Sequence, residues 1–304
     1  MIISASYRTD IPAFYGEWFM ARLREGHCKV SNPYNGTENR VPLGRDDVDG
    51  FVFWTKNLGP FLPHLEEIDA LGYPFIIQHT INGYPRELEG RVVDWRDSVE
   101  QAHAVAERYG PRTVVWRYDP IVVTNTMTLE QHITRFNAMA RALEGAVDEV
   151  VVSFAQMYQK TTTNMNRAAA EQGFRWFDPS DWSKRELVSD LVQVAAERRM
   201  QLSVCSQKKY AVGGAQEAAC VDAYRLSDVA GYPIKAKRKG NREGCCCFES
   251  RDIGAYNSCP HGCIYCYAVE DHARAEKAYE AREDKGEILV GAGVTGRNEQ
   301  IRGG

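Results

Sequence analysis

The chain has 304 residues, 44% hydrophobic and 26% charged, with 37 Lys and Arg against 41 Asp and Glu for a net charge of −4. That balance suits one large or two small globular domains and excludes disorder, collagen-like repeats and coiled coil as overall descriptions. It supplies no global basic field to hold nucleic acid, and no apolar run approaches the ~20 residues of a membrane span.

The first residues turn polar too soon for a signal peptide, so a cytoplasmic protein is expected. A short apolar run over residues 2–6 predicts the first strand. Asp10 then caps a helix with Pro12 in its first turn, running to Arg24. Residues 26–44 interrupt the pattern, and Asn32-Pro33-Tyr34-Asn35-Gly36 is turn chemistry for a small hairpin. Further β-branched or aromatic runs follow at 51–54, 75–78, 113–116, 150–154 and 201–205, with amphipathic stretches between them. In one of these stretches Val99, Ala102, Ala106 and Tyr109 recur at helical spacing. In another, Ser183 and Glu186 form a capping-box pattern that predicts a helix to Arg199. Residues 208–258 are irregular, a last helix is expected over 267–283, and 295–304 read as a frayed end.

Six strand–helix units in a row predict an α/β fold with a parallel sheet. The strands are continuous apolar runs rather than alternators, as burial of both faces requires. No Gly-x-Gly-x-x-Gly follows the first strand and each strand ends in a polar cluster, which favours a partial (β/α) barrel over an open doubly wound sheet. The expected organisation is a barrel-like core over 1–210 with a Cys-rich C-terminal segment, 211–304, packed on it as one unit.

Nine cysteines, an odd number, argue against a disulfide framework. Cys28, Cys205 and Cys220 are scattered, whereas the other six fall between residues 245 and 266. Cys259-Pro-His-Gly-Cys263-Ile-Tyr-Cys266 is a C-x3-C-x2-C triplet, able to converge on a soft metal centre. Cubane iron–sulfur clusters usually take four thiolates, so a triplet leaves one iron open. A zinc staple is the competing reading, with a fourth ligand from Cys245, Cys246, Cys247 or His261.

This triplet, with Tyr265 just before its last cysteine, resembles the cluster motif of the radical S-adenosylmethionine superfamily. That resemblance implies a full or partial (β/α) barrel and a [4Fe-4S] cluster held by Cys259, Cys263 and Cys266. It further implies S-adenosylmethionine on the fourth iron, Tyr265 near the adenine, and a flavodoxin- or ferredoxin-type electron donor. In the superfamily this loop follows the first strand, whereas here it follows all six units. The chain also resembles a bacterial family catalogued as a domain of unknown function, with its Cys-rich segment at the C-terminus. The likeness runs from Ser6-Tyr-Arg-Thr-Asp-Ile-Pro12 to Asp252-Ile-Gly-Ala-Tyr-Asn257 and the triplet. Cys245, Cys246 and Cys247 are candidates for a fourth ligand, an auxiliary cluster or hydrogen-donating thiols, against plain packing in a Cys-rich loop.

In parallel barrels reactive groups sit at the C-terminal ends of strands. Arg8, Lys56 and Arg117 are candidates to hold a ligand carboxylate or phosphate, and Asp10 and Asp119 to meet ribose hydroxyls or an amine. Arg8–Asp10 and Arg117–Asp119 read equally well as salt bridges. His79 is a candidate proton donor, and no catalytic acid or base is assigned. The run Lys235, Lys237, Arg238, Lys239 and Arg242 is a solvated face, a counter-charge to a cluster, or a phosphate grip; nucleic acid remains an unsupported partner. The functional expectation is a radical S-adenosylmethionine enzyme acting on a small or phosphate-bearing substrate. The alternatives are a fully ligated iron–sulfur electron carrier or redox sensor, and a zinc-stapled barrel hydrolase working through Asp10 and Asp119.

Overall fold

A computed structural model describes residues 1–33 and 35–291. The frayed end expected at 295–304 lies outside the described residues. Twelve strands are present among them: β1 (Ile2–Ala5), β2 (His27–Ser31), β3 (Glu38–Pro42), β4 (Gly50–Thr55), β5 (Phe75–Thr80), β6 (Val114–Ile121), β7 (Val123–Thr124), β8 (Glu149–Phe154), β9 (Trp176–Phe177), β10 (Gln201–Val204), β11 (Gln216–Glu217) and β12 (Ser250–Asp252). The helices are α1 (Ile11–Phe14), α2 (Gly16–Glu25), α3 (Leu62–Ala70), α4 (Trp95–Tyr109), α5 (Leu129–Ala142), α6 (Gln159–Gln172), α7 (Asp181–Glu197), α8 (Ala223–Ala230) and α9 (His272–Glu280).

Eight strands form one sheet in the order β11-β10-β8-β6-β5-β4-β1-β12, and every neighbouring pair in it is parallel. All six strands expected from the sequence lie in this sheet. It gains two more, β11 and β12, one at each edge, and no ladder joins these edges among the described residues. Parallel strands need covered faces, and both faces here are buried. On one, Ile3, Phe51, Ile77 and Val150 pack with Phe19 of α2, Ile68 of α3, Val105 of α4, Met139 of α5 and Leu191 of α7. On the other, Ile2, Val52, Ile76, Val115 and Val151 meet Leu226 of α8, Val221 and Phe248. The period-2 alternation of Ile2 and Ile3 between these two clusters is the pleat itself. Phe19, Phe51, Phe53 and Phe61 pack ring to ring at centroid distances of 5.0–5.8 Å, with Phe51 and Phe53 stacked and the other pairs edge-on or tilted; each fully buried ring contributes about 2–3 kcal/mol.

The local elements depart from expectation in four places. The segment 208–258, expected to be irregular, holds β11, α8 and β12. The helix after Asp10 is broken at Tyr15 into α1 and α2, although Asp10 does cap it by accepting from the Ala13 N–H. The helix assigned to a Ser183 cap begins at Asp181, because the Ser180 hydroxyl takes the Ser183 N–H instead. The last helix is shorter, His272–Glu280, starting where the Asp271 carboxylate accepts the Arg274 N–H. The hairpin is β2–β3, antiparallel from His27↔Pro42 to Ser31↔Glu38. No helix among the described residues is long and apolar enough to cross a membrane.

Candidate metal centre and sheet mouth

The cysteine triplet begins seven residues after β12, the edge strand paired with β1. It lies over the C-terminal ends of β1, β4 and β5, held there by three residues from those ends. Asp10, beyond β1, accepts from His261 Nε2 at 2.7 Å, from the Lys56 N–H at 2.7 Å and from the Ala13 N–H at 2.9 Å. Lys56, beyond β4, extends Nζ to Glu89 Oε1 at 2.7 Å and to the Tyr265 hydroxyl at 3.1 Å. Glu89 also accepts from Tyr265 Oη and, at 3.2 Å, from Asn82 Nδ2. Backbone bonds add a strap, with the Arg91 N–H on the His261 carbonyl at 2.9 Å and the Ile264 N–H on the Leu88 carbonyl at 3.1 Å.

This ties two of the sequence candidates, Asp10 and Lys56, to the cysteine loop. It also adds Glu89 and Asn82, and turns His261, weighed in the sequence as a zinc ligand, onto Asp10. Tyr265 is buried, with Tyr84 edge-on at 5.9 Å and Lys56 Nζ 5.7 Å from its ring centre. Burial opposes the Lys56 ammonium, but Glu89 and the Cys263 sulfur outweigh it and raise its pKa. Burial likewise opposes the Glu89 carboxylate, and Lys56 with the Tyr265 and Asn82 bonds holds it below the usual range. The pair is therefore ionised.

Burial raises the pKa of all three triplet thiols, with Lys56 opposing the shift at Cys263 and Cys266. Such groups become thiolates only beside added positive charge, which a bound metal supplies. Each of the three feels at least one of the others electrostatically, and the Ala268 N–H points at Cys266 Sγ at 3.3 Å. Hydrogen bonds to sulfur of this kind tune iron–sulfur centres. Among the described residues no three His, Cys, Asp or Glu side chains stand around a common single-ion position.

The remaining candidates line the sheet mouth. Arg8 does not pair with Asp10. Its guanidinium lies over the Tyr7 and Tyr256 rings, at 5.5 and 5.2 Å, and 3.6 Å from Asp252. Asp252 is buried and accepts from Ser4 Oγ, Ser6 Oγ, and the Tyr7 and Gly254 N–H groups at 2.8–3.1 Å. Arg117 and Asp119 do form a salt bridge, and Asp119 also accepts from Ser153 Oγ. Arg117 Nη1 reaches Gln78 Oε1 at 3.1 Å, and its guanidinium covers Trp54 at 5.0 Å. His79 is fully buried and held down to about pKa 4 by that burial. In the basic run, Lys239 pairs with Glu249, Arg238 covers Phe248, and Arg242 turns inward toward Cys205 Sγ at 3.7 Å.

The adjacent cysteines separate. Cys246 contacts Glu217 at 3.6 Å, whereas Cys247 is buried and its Sγ accepts from the Val221 N–H at 3.3 Å.

No curated protein matches the chain. Three chains of solved structures do. One is a D-hydantoinase, with 13% identity and a TM-score of 0.31 over 68% of this chain and 42% of that one. The chain thus spans less than half of that enzyme's length. Over residues 2–268 the sequence matches the family described as Domain of unknown function (DUF1848), and the chain belongs to that family.

Proposed function

We propose that the chain is a radical S-adenosylmethionine-type enzyme built on a partial (β/α) barrel whose strand order is permuted. One observation carries this reading. The C-x3-C-x2-C loop follows the edge strand β12, which lies parallel beside β1, and it reaches the C-terminal ends of the neighbouring strands. In space, β12 stands at one edge of the series β12-β1-β4-β5-β6-β8-β10-β11, and reading the sheet from that edge puts the loop after a first strand although it comes late in the chain, which supports the reading.

Cys259, Cys263 and Cys266 would hold a [4Fe-4S] cluster. Bound there with one open iron, the cluster supplies the electron for reductive cleavage of the S-adenosylmethionine sulfonium. The chain's own groups do the positioning. Asp10 fixes the loop through His261, and Lys56 opposes the negative charge of the thiolates while Glu89 holds it in place. Tyr265 presents its ring beside the loop with its hydroxyl locked by three partners. Arg8, the cation of the mouth with the longest ion-pair distance, suits a ligand carboxylate. Arg117 and Asp119 are already paired, and they keep the inner end of the mouth polar and ordered.

The carrier reading needs a fourth cysteine on the cluster. Cys247 Sγ accepts from the Val221 N–H at 3.3 Å, and Cys246 contacts Glu217. These partners favour a three-cysteine set.

The test is anaerobic iron and sulfide quantitation with electron paramagnetic resonance of the reduced chain, without and then with S-adenosylmethionine. About four irons and a signal that changes on addition support the proposal. An unresponsive signal at the same iron content, or absence of iron, overturns it.

A further inference from the structure

Helix α6 begins at the sheet mouth. It follows β8, an interior strand, after residues 155–158, so its N-terminus stands at the C-terminal strand ends with Arg8 and the cysteine loop. Among the described residues no side chain caps this end, and no acidic residue occupies its first turn. Two cations attend it. Lys160, in the first turn, places Nζ 5.6 Å from the centre of the Tyr256 ring that Arg8 also covers. Arg242 Nη1 donates at 3.3 Å to Gln156 Oε1, in the loop that leads into the helix. Neither cation has a carboxylate partner among the described residues, unlike Lys56 and Arg117.

A second observation comes from Thr161, at the third position of α6. It is fully buried, and its Oγ1 has no hydrogen-bond partner among the described residues. Buried hydroxyls are nearly always paired. A threonine inside a helix ordinarily bonds the carbonyl four residues back, as Thr163 does to Gln159 at 2.9 Å. Thr161 makes no such bond. From the third helical position a side chain leans back over the helix end, since Cα–Cβ bonds tilt toward the N-terminus. The unpaired hydroxyl therefore belongs to the same helix end as the two cations.

We infer that the first turn of α6, with Lys160, Arg242 and Thr161, binds the phosphate group of a phosphate monoester. The open N–H groups and the dipole of a helix end favour an anion. Two cations match a dianion, and the hydroxyl adds a neutral donor. Phosphate accepts through oxygens on several sides, whereas a carboxylate offers two in one plane, so donors spread over a helix end, a side chain of its first turn and a separate loop suit phosphate. Within the basic run, Arg242 is set apart for this task, because Lys239 is engaged by Glu249 and Arg238 by the Phe248 ring. The site itself stands without the radical-enzyme reading; that its phosphate belongs to the substrate rests on that reading.

The experiment is calorimetric titration of the purified full chain with inorganic phosphate and, separately, with acetate, with iron measured on the same preparation. Phosphate should bind and acetate should bind far more weakly. Lys160→Met and Arg242→Gln should each weaken phosphate about tenfold, as loss of one charge-assisted hydrogen bond does. Thr161→Val keeps the shape of the side chain and should weaken phosphate about threefold. It should leave the melting temperature unchanged, because the hydroxyl holds nothing in the protein. Arg238→Gln serves as the control and should bind as the wild type does. Absence of phosphate binding, equal binding of acetate, or equal weakening by Arg238→Gln would overturn the inference. So would binding that Lys160→Met, Arg242→Gln or Thr161→Val leaves untouched. Because the titration needs no S-adenosylmethionine, an iron-free chain that binds phosphate in this pattern sinks the radical reading and leaves the site standing.

Discussion

Asp10 and His261, 251 residues apart in the chain, meet at 2.7 Å beneath the cysteine loop. The same Asp10 carboxylate caps α1 and takes the Lys56 N–H, so one side chain joins the first strand end, the fourth and the cysteine loop. Asp10→Ala leaves three donors without their acceptor, one of them, His261 Nε2, buried and the other two half-buried. A loss of about 3 kcal/mol is expected from such orphaned groups. Under the proposed cluster reading, iron retention should fall as well, because the loop loses its anchor. Urea unfolding and iron content, measured on the same preparation, check this. Unchanged iron binding would mean that the anchor does not matter to the loop.

Lys56 and Glu89 offer a cleaner separation of charge from packing. Glu89 is buried and Lys56 largely so, and each shifts the other toward its ionised form. Removing one partner strands a buried charge, so Lys56→Met and Glu89→Leu should each cost about 3–5 kcal/mol. The double variant should be more stable than either single one, since apolar replacement of a whole buried pair is often near neutral. A double-mutant cycle by denaturant unfolding reads the coupling, and strict additivity would refute a direct pair.

The strands legible in the sequence were those with a continuous apolar run, because burial on both faces leaves that mark locally. The two edge strands leave none. Residues 216–217 are Gln and Glu, both exposed, and 250–252 are Ser, Arg and Asp. Only pairing with β10 and β1 makes them strands. Among the site residues, the cysteine triplet was legible from spacing, and Tyr265 from the motif. Glu89 was not, since it sits in an irregular stretch and meets Tyr265 from 176 residues away. Cys205 and Cys220 read as scattered because their sulfurs meet, at 3.5 Å, only when the segments after β10 and β11 are brought together. The Arg8–Asp10 pair failed for a similar reason: Asp252, invisible from the N-terminal segment, takes the arginine instead.

Gly254 is the point where that late segment passes closest to the first strand end. A Cβ added there would lie 2.0 Å from Ser6 Oγ and 2.6 Å from Ser6 Cβ, closer than atoms approach without displacement. Ser6 is not free to turn away, because its hydroxyl donates to Asp252 at 2.8 Å. Gly254→Ala should therefore destabilise by about 1–3 kcal/mol, as overpacking does. Adding Ser6→Gly removes the clashing atoms and should recover part of the loss. Thermal melts of the single and double variants check this, and a Gly254→Ala chain as stable as wild type would contradict the close approach.

His132 sets a limit on stability in mild acid. It is fully buried on α5, with Nδ1 bonded to Tyr118 Oη at 2.7 Å and Nε2 to the Val122 carbonyl at 3.1 Å. Burial, only partly offset by the Val122 bond, lowers its pKa to about 4 from an ordinary 6.5. Between those values the unfolded chain binds a proton that the folded chain refuses, so stability declines as pH falls from about 6.5 and the decline from this group is complete below about 4. A shift of that size corresponds to roughly 3 kcal/mol at the acid end. Denaturant midpoints at pH 7 and pH 5 should differ in the wild type and differ less in His132→Gln, which cannot ionise. An equal pH dependence in the two chains would assign the acid sensitivity to other buried groups.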